Sequence, residues 1–406
     1  MKVGIIDAEI IGKSKHRFPN LCCMKLSAYH KNNNDDVSLL LSYEKLGNYD
    51  IVYISKVFTD TYVPEAVLSL PNITYGGTGF FYDRAPSLPF DIEHTMPDYH
   101  LYDEWVSEKI KNGAKRIEFR YYLDYSIGYL TRGCFRGCEF CVNRNYKQSH
   151  KASPLSEFMD VSRPKLCFLD DNFFSYPKWQ ELITPVINSE KRFQFKQGLD
   201  ERLLTEEKII ALSKWNYDKE VIFAFDDIKD KDLIVSKLEL IRKTVPLWRR
   251  ELKFYVFCGW DKSNRYDEAF WEKDIQDMFE RISILRAYNA KPYIMRFEKV
   301  YSSEYSSFYA AVAAWCNQPS IFNSFSFRLF CQCRGMRKNG YHLFKRDVEG
   351  YLQEIGIKGS EWRAMEKISE MYPTIAQKYF DINNESDLSQ WKNIETNNSM
   401  EGEVGV

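Results

Sequence analysis

Three cysteines stand within eight residues in Cys134-Phe-Arg-Gly-Cys138-Glu-Phe-Cys141, a C-x3-C-x2-C spacing preceded by Thr131-Arg-Gly and followed by Val142-Asn143. Thiolates so spaced can hold a four-iron cluster by three of its irons and leave the fourth without a protein ligand. A fully ligated cluster mostly moves electrons, whereas an open iron can bind a small molecule and take part in its cleavage. Zinc and chance are the alternatives. Zinc commonly takes C-x2-C together with a distant second pair, and no such pair lies nearby.

Chemistry of this kind needs elements that hold the loop. From Ser126 onward, apolar segments of strand length recur at Ile127 to Thr131, Leu166 to Leu169, Phe193 to Gln197, Val221 to Phe225, Phe254 to Phe257 and Tyr293 to Phe297. Amphipathic stretches such as Lys178 to Ile187 and Glu206 to Trp215 lie between them, the latter opened by Thr205 as N-cap and an acidic first turn. Six βα units in series predict an α/β fold with a barrel or partial (βα)6 barrel over residues 121–300. Residues 1–120 alternate short strands and helices: Lys2 to Asp7, Leu21 to Lys31, Tyr49 to Ser55 and Asn72 to Phe80. They predict a small parallel, Rossmann-like sheet. Gly76-Gly77-Thr78-Gly79 has neither the G-x-G-x-x-G spacing nor a following lysine, so a tight turn is preferred there over a phosphate cradle. Residues 301–406 turn helical and aromatic, at Ser306 to Trp315 and Trp362 to Tyr372. They read as a C-terminal helical cap whose tail, from about Asn393, is polar and expected to be disordered.

In such a barrel the residues just past each strand carry function. The first segment runs into the cysteine loop, where Arg132 and Arg136 either ease reduction or are solvated loop charges. The second ends in Asp170-Asp171-Asn172. Adjacent carboxylates repel, so at least one is expected to meet a cation, with a helix N-cap by Asp171 as the alternative. The third ends in Gln197-Gly-Leu-Asp200-Glu-Arg202. Arg202 can grip a carboxylate while Gln197 and Asp200 bind hydroxyls, or Asp200 and Arg202 can simply pair. Asp226-Asp227 after the fourth suits a diol or a basic nitrogen, or else caps a loop. After the fifth and sixth, Glu298 can accept two parallel N–H bonds from a purine-like edge, beside Arg296. Trp260, Tyr255 and Tyr301 can stack on such a base, although each aromatic also suits a core. Cys316, Cys331 and Cys333 raise a second metal site without supplying an obvious fourth ligand.

The cysteine motif resembles that of the radical S-adenosylmethionine superfamily. The resemblance implies a [4Fe-4S] cluster on Cys134, Cys138 and Cys141. It also implies S-adenosylmethionine at the open iron, a 5′-deoxyadenosyl radical, and a reductant such as flavodoxin or ferredoxin. It puts Phe140 against adenine. Asp170, Asp171, Asn172, Gln197, Asp200, Arg202 and Asp226 become candidates for binding S-adenosylmethionine, although Gly-Gly-Glu is the more usual motif where Asp170-Asp171-Asn172 stands. The first strand continues Asp7-Ala-Glu-Ile-Ile-Gly-Lys where cobalamin-type relatives carry D-x-H-x-x-G, so the Rossmann-like domain is expected without cobalamin. Pro19-Asn-Leu-Cys-Cys-Met-Lys, Pro97-Asp-Tyr, Gln197-Gly-Leu-Asp and Phe223-Ala-Phe-Asp226 are similar to a subgroup acting on queuine, a 7-deazaguanine with an aminomethyl-linked cyclopentenediol. This implies a C–N lyase for queuosine salvage in tRNA modification, with Glu298 and Asp226 as catalytic candidates and Tyr255, Trp260, Arg296 and Tyr301 around the base. Another radical reaction, such as methylthio transfer, and a non-catalytic iron–sulfur protein are the competing readings. The first usually needs a second cysteine triplet and an RNA-binding appendage, and neither is evident.

Global properties set bounds on these readings. A formal charge of -1 and a pI near 6.6 over 406 residues give no overall attraction to nucleic-acid phosphate. A small-molecule substrate is the simpler expectation. Asp7 and Glu9 interrupt the apolar start, and no run of about 18 apolar residues occurs elsewhere, so a cytoplasmic protein away from the membrane is expected. Ten cysteines, several within apolar runs, suit a reducing compartment.

Overall fold

Lys2-Val-Gly-Ile-Ile-Asp places apolar side chains on both faces of an extended segment, the pattern of a strand covered on two sides. In a computed structural model of the chain, which describes residues 1–335 and 359–382, this segment is strand β1 (Lys2–Asp7). With β2 (Asp36–Leu39), β3 (Ile51–Ser55) and β4 (Ile73–Gly76) it forms a wholly parallel sheet in the order β2-β1-β3-β4. The period of two divides its side chains: Val3 and Ile5 pack with Met24, Leu26, Tyr99 and Trp105 on one face, and Ile6 with Val52, Ile54 and Val67 on the other. Each fully buried side chain of this size contributes about 1.5–3 kcal/mol. The helix Leu21–Asn32 starts where Asn20 caps it, its side-chain oxygen accepting from Cys22 N at 3.1 Å and Cys23 N at 3.3 Å.

Past β4 the chain turns at Gly77, whose φ of 103° favours glycine and whose added Cβ would lie 2.2 Å from the Lys56 carbonyl oxygen. Gly79 N donates to that same oxygen at 2.9 Å, so the glycine-rich run is a tight turn packed onto the preceding crossover.

A second parallel sheet follows. Strand β5 (Tyr125–Gly128) runs into a two-residue ribbon of β6 (Thr131–Arg132) and β7 (His150–Lys151). It pairs with β8 (Lys165–Phe168), which pairs with β9 (Arg192–Phe195). A third parallel sheet contains β10 (Val221–Ala224), β11 (Leu252–Cys258) and β12 (Lys291–Arg296). Between the strands lie the helices Trp179–Asn188, Glu206–Lys214, Lys231–Thr244 and Glu268–Ala287. Thr205 supplies the expected cap of the second of these, with its hydroxyl accepting from Lys208 N at 3.4 Å. All six apolar segments picked out above coincide with strands, each within about three residues of its expected limits. Strand β2 and the β6–β7 ribbon were not expected, being polar and very short.

The chain divides into two units, residues 1–199 with 214–218, and residues 200–213 with 219–406. The divisions expected near 120 and 300 each fall inside a unit. Beyond β12 the described residues include the helices Ser306–Cys316, Phe327–Gly335, Ser360–Met371 and Pro373–Tyr379. The tail from Asn393 and the side chain of Cys333 lie outside the described residues. The fold is thus mixed α/β with parallel sheets, and no described helix is long and apolar enough to cross a membrane.

Candidate metal centre and its surroundings

The cysteine loop leaves the carboxyl end of β5 and is closed at its base by the β6–β7 ribbon, with Thr131 opposite Lys151 and Arg132 opposite His150. Gly133 opens it at φ 91°, where a Cβ would sit 2.5 Å from the Gln148 carbonyl oxygen, so both ends of the loop meet closely. Cys134, Cys138 and Cys141 form no disulfide and are each partly exposed. Two of the sulfurs face donors: Arg136 N lies 3.5 Å from Cys134 Sγ, Asn143 N 3.4 Å from Cys141 Sγ, and Asn172 Nδ2 3.4 Å from Cys134 Sγ. Donors aimed at sulfur favour the thiolate, the form that binds metal. Burial pushes the Cys141 thiol up in opposition, with the Asn143 N–H offsetting it. Among the described residues no three His, Cys, Asp or Glu side chains stand close enough to share one metal ion. A four-iron cube holds its thiolates farther apart than a single ion does, and three accessible thiols on one pinned loop fit that group's donor chemistry.

The acids after β8 turn towards this loop. Asp170, fully buried, accepts from Thr131 N and Thr131 Oγ1 at 2.6 Å each and from Leu130 N at 3.1 Å. Asp171 accepts from Gly133 N and Asn143 Nδ2, both at 2.6 Å. Thus five N–H and O–H donors supply the compensation that their adjacency called for, and the loop is tied to the end of the neighbouring strand. Burial still pushes Asp170 up to about 7 and raises Asp171. Asp171 does not cap the short turn Phe173–Ser175, whose N-cap position belongs to Asn172.

The N-terminal part of the same unit holds the loop's outer side. Tyr82 OH donates to the Phe140 carbonyl oxygen at 2.6 Å, which places the backbone of the expected adenine-packing residue. Asp83 accepts from Arg144 Nε at 2.6 Å and from Asn145 Nδ2 at 3.1 Å. Arg132 pairs with Glu93 at 3.0 Å and lies over the Tyr129 ring at 3.9 Å, so it is a packed charge rather than a solvated one. Gln197 is exposed just past the end of β9.

In the second unit Arg202 meets Asp200 at 2.8 Å and Asp230 at 2.6 Å, the ion-pairing alternative for these residues. Between them Glu201 is 1 % exposed, its Oε2 accepting from Ala224 N at 3.3 Å. Burial, reinforced by Asp200, pushes it up to about 8, so it keeps its proton at neutral pH. Sequence reasoning passed over Glu201, and the one available signal was an acid directly against Asp200 past a strand end. Burial also pushes Asp226 up to about 6, opposed by Arg281 and by Phe257 N, which donates to it at 3.2 Å. Arg281, 2 % exposed on the helix Glu268–Ala287, donates through one nitrogen to the carbonyls of Phe225, Asp226 and Phe257, all at 2.9 Å. It thereby joins the ends of β10 and β11, a role that sequence reasoning did not identify. Tyr255 packs edge-on against Tyr293, and Arg296 stands over the exposed Tyr301 ring at 4.8 Å. Glu298 is exposed in the first turn of the helix Glu298–Ser302, and Trp260 is half-buried past β11. Cys258, Cys316 and Cys331 are buried, the behaviour of core thiols.

No protein-family model matches the chain.

Proposed function

We propose that this chain is a radical S-adenosylmethionine enzyme that cleaves queuine as a queuine lyase does, releasing 7-aminomethyl-7-deazaguanine. The observation that carries the reading is the C-x3-C-x2-C loop, pinned at its base and braced from the next strand, directly after the first strand of a parallel sheet. Two three-stranded parallel sheets with intervening helices support the accompanying reading of a partial (βα)6 barrel.

Cys134, Cys138 and Cys141 would hold a [4Fe-4S] cluster, which together with S-adenosylmethionine supplies hydrogen-abstracting radical chemistry. The residues around it bind and orient. Asp170 and Asp171 hold the loop's shape through its N–H groups, and Asn172 donates to one ligand sulfur. Phe140 is fixed through its carbonyl to shield the adenine side. Gln197, exposed past β9, is the polar side chain assigned to a hydroxyl of the cofactor, while Asp200 and Arg202 support that segment by pairing. On the substrate, Glu298 accepts the paired N–H groups of the guanine-like edge, with Trp260, Tyr255, Tyr301 and Arg296 around the base. Asp226, held near neutrality between burial and Arg281, faces the amine and can hold or release its proton as the C–N bond breaks.

The test is anaerobic turnover of reconstituted protein with S-adenosylmethionine, dithionite and queuine, with products identified by mass spectrometry. Deoxyadenosine and the aminomethyl base together support the assignment. Deoxyadenosine without the base overturns the substrate. An electron paramagnetic resonance spectrum of the reduced cluster that S-adenosylmethionine leaves unchanged overturns the enzyme class.

A further inference from the structure

The order β2-β1-β3-β4 of the N-terminal sheet reverses direction at β1: the chain passes from β1 to β2 on one side, then to β3 on the other. In open parallel sheets, small ligands lie outside the carboxyl ends of the two strands that flank such a reversal. The segments leaving that edge are locked to one another. Glu9, fully buried past β1, accepts from Val57 N at 3.0 Å and from Phe58 N at 3.1 Å past β3. Past β4, Gly79 N donates to the Lys56 carbonyl oxygen and Thr78 Oγ1 to the Val57 carbonyl oxygen, both at 2.9 Å. On this frame aromatic rings reach solvent. Phe58 is 46 % exposed and Tyr62 in the same segment 74 %, while Tyr75 and Phe81, each 37 % exposed, stack within 5° of parallel at 5.8 Å. Exposed apolar rings gathered on one edge, rather than scattered singly, mark a binding surface.

The same edge is cationic. Residues 8–20 and 56–64 carry Lys13, Lys15, Arg17 and Lys56 against Glu9 and Asp60. Glu9 is buried, and Asp60 meets Lys13 at 2.6 Å, while the Lys13 ammonium also stands over the Phe58 ring at 5.2 Å. Lys15 is exposed, and the Lys56 ammonium stands over the Phe80 ring at 5.2 Å, with Phe80 itself 4.9 Å from Tyr75. Rings and ammonium groups held together in this way suit a ligand with a flat face and an anionic group.

We infer that the carboxyl edge of the N-terminal sheet binds a free purine mononucleotide, its base on the exposed rings and its phosphate at Lys15 and Lys56. No bond is made or broken there, and the site is independent of the cysteine loop and of the proposed reaction. The two-ring base offers the larger face for stacking. A longer nucleic acid would draw on a basic chain, and the pI here is near 6.6.

The test is calorimetric titration of the full-length chain with guanosine 5′-monophosphate, alongside the variants Phe58→Ala and Lys15→Gln/Lys56→Gln. Phe58→Ala should weaken binding about tenfold or more through lost stacking. The double variant should weaken it at low salt and flatten its salt dependence, with far-ultraviolet circular dichroism unchanged in both. Saturating S-adenosylmethionine and queuine should leave the nucleotide bound. Absence of saturable binding to wild type at about 1 mM nucleotide, or equal affinity in wild type and both variants, would overturn the site. Guanosine binding as tightly as its monophosphate would overturn the nucleotide class. Displacement by S-adenosylmethionine or queuine would overturn the placement, moving the nucleotide to the proposed reaction site. Tight binding of a single-stranded RNA octamer that the mononucleotide does not displace would overturn the inference in favour of RNA. Binding is read without turnover, so a chain that takes the nucleotide but never cleaves S-adenosylmethionine refutes the proposed reaction and leaves this site supported.

Discussion

Asp171 and Asn143, 28 positions apart, meet at 2.6 Å across the cysteine loop, while the other oxygen of Asp171 holds Gly133 N at the same distance. One carboxylate thereby fixes the residue before the first cysteine and the second residue after the last. Its function is geometric, because three thiols can share a cluster only if the loop between them keeps its curvature.

Replacing Asp171 with alanine should therefore impair cluster assembly more than folding. Two hydrogen bonds to a charged acceptor are worth about 1.5–3 kcal/mol each, yet both serve a loop partly open to solvent. Iron bound per chain after reconstitution should fall by more than half, with far-ultraviolet circular dichroism unchanged. Full iron loading in the alanine variant would show that the brace is dispensable.

Asn172 addresses one ligand directly through its amide, 3.4 Å from Cys134 Sγ. A donor to a ligand sulfur withdraws electron density and stabilises the reduced cluster. Asn172→Leu should shift the midpoint potential to a more negative value while the three thiolates still bind iron. A potentiometric titration monitored by electron paramagnetic resonance measures this, and an unchanged or more positive potential would refute the contact's tuning role.

Much of this arrangement was legible in the chain because its signals are local. The six apolar segments were strands since β-branched and aromatic runs bounded by polar turns have few alternatives, and Gly77 read as a turn for want of any phosphate-binding spacing. The roles of the acids were not legible. Asp170 and Asp171 looked like a cation site because repulsion demands compensation, and the sequence does not reveal that backbone N–H groups across the loop provide it. Glu201 and Arg281 were missed for a related reason: burial is a tertiary property, and an acid or arginine in a polar stretch reads as exposed.

Arg281 offers a stability test in the second unit. Its guanidinium satisfies three strand-end carbonyls, and a shorter apolar side chain would leave them buried without a donor. Arg281→Met should destabilise the chain by about 3–5 kcal/mol, seen as a lower urea midpoint. Arg281→Lys, which restores one cation with less reach, should recover only part of that loss. A methionine variant as stable as wild type would mean that water replaces the guanidinium there.

Glu201 predicts a dependence on pH with a definite sign. Its folded value lies near 8 against an ordinary 4.5, raised first by burial and then by Asp200, with Arg202 and the Ala224 N–H opposing. The folded chain keeps the proton while the unfolded chain has lost it, so stability falls as pH rises from about 4.5 to about 8 and is level beyond. A shift of this size corresponds to a loss on the order of 5 kcal/mol across that window. Asp7 and Asp170, each raised to about 7, and Asp226, raised to about 6, push wild type in the same direction, so the slope alone does not isolate Glu201. The difference between wild type and Glu201→Gln does. Glutamine keeps an acceptor for Ala224 N and cannot ionise, so the two proteins should have similar urea midpoints at pH 5, and the variant should be the more stable at pH 8. Equal losses between pH 5 and pH 8 in both proteins would show that Glu201 is not the buried, proton-holding acid described here.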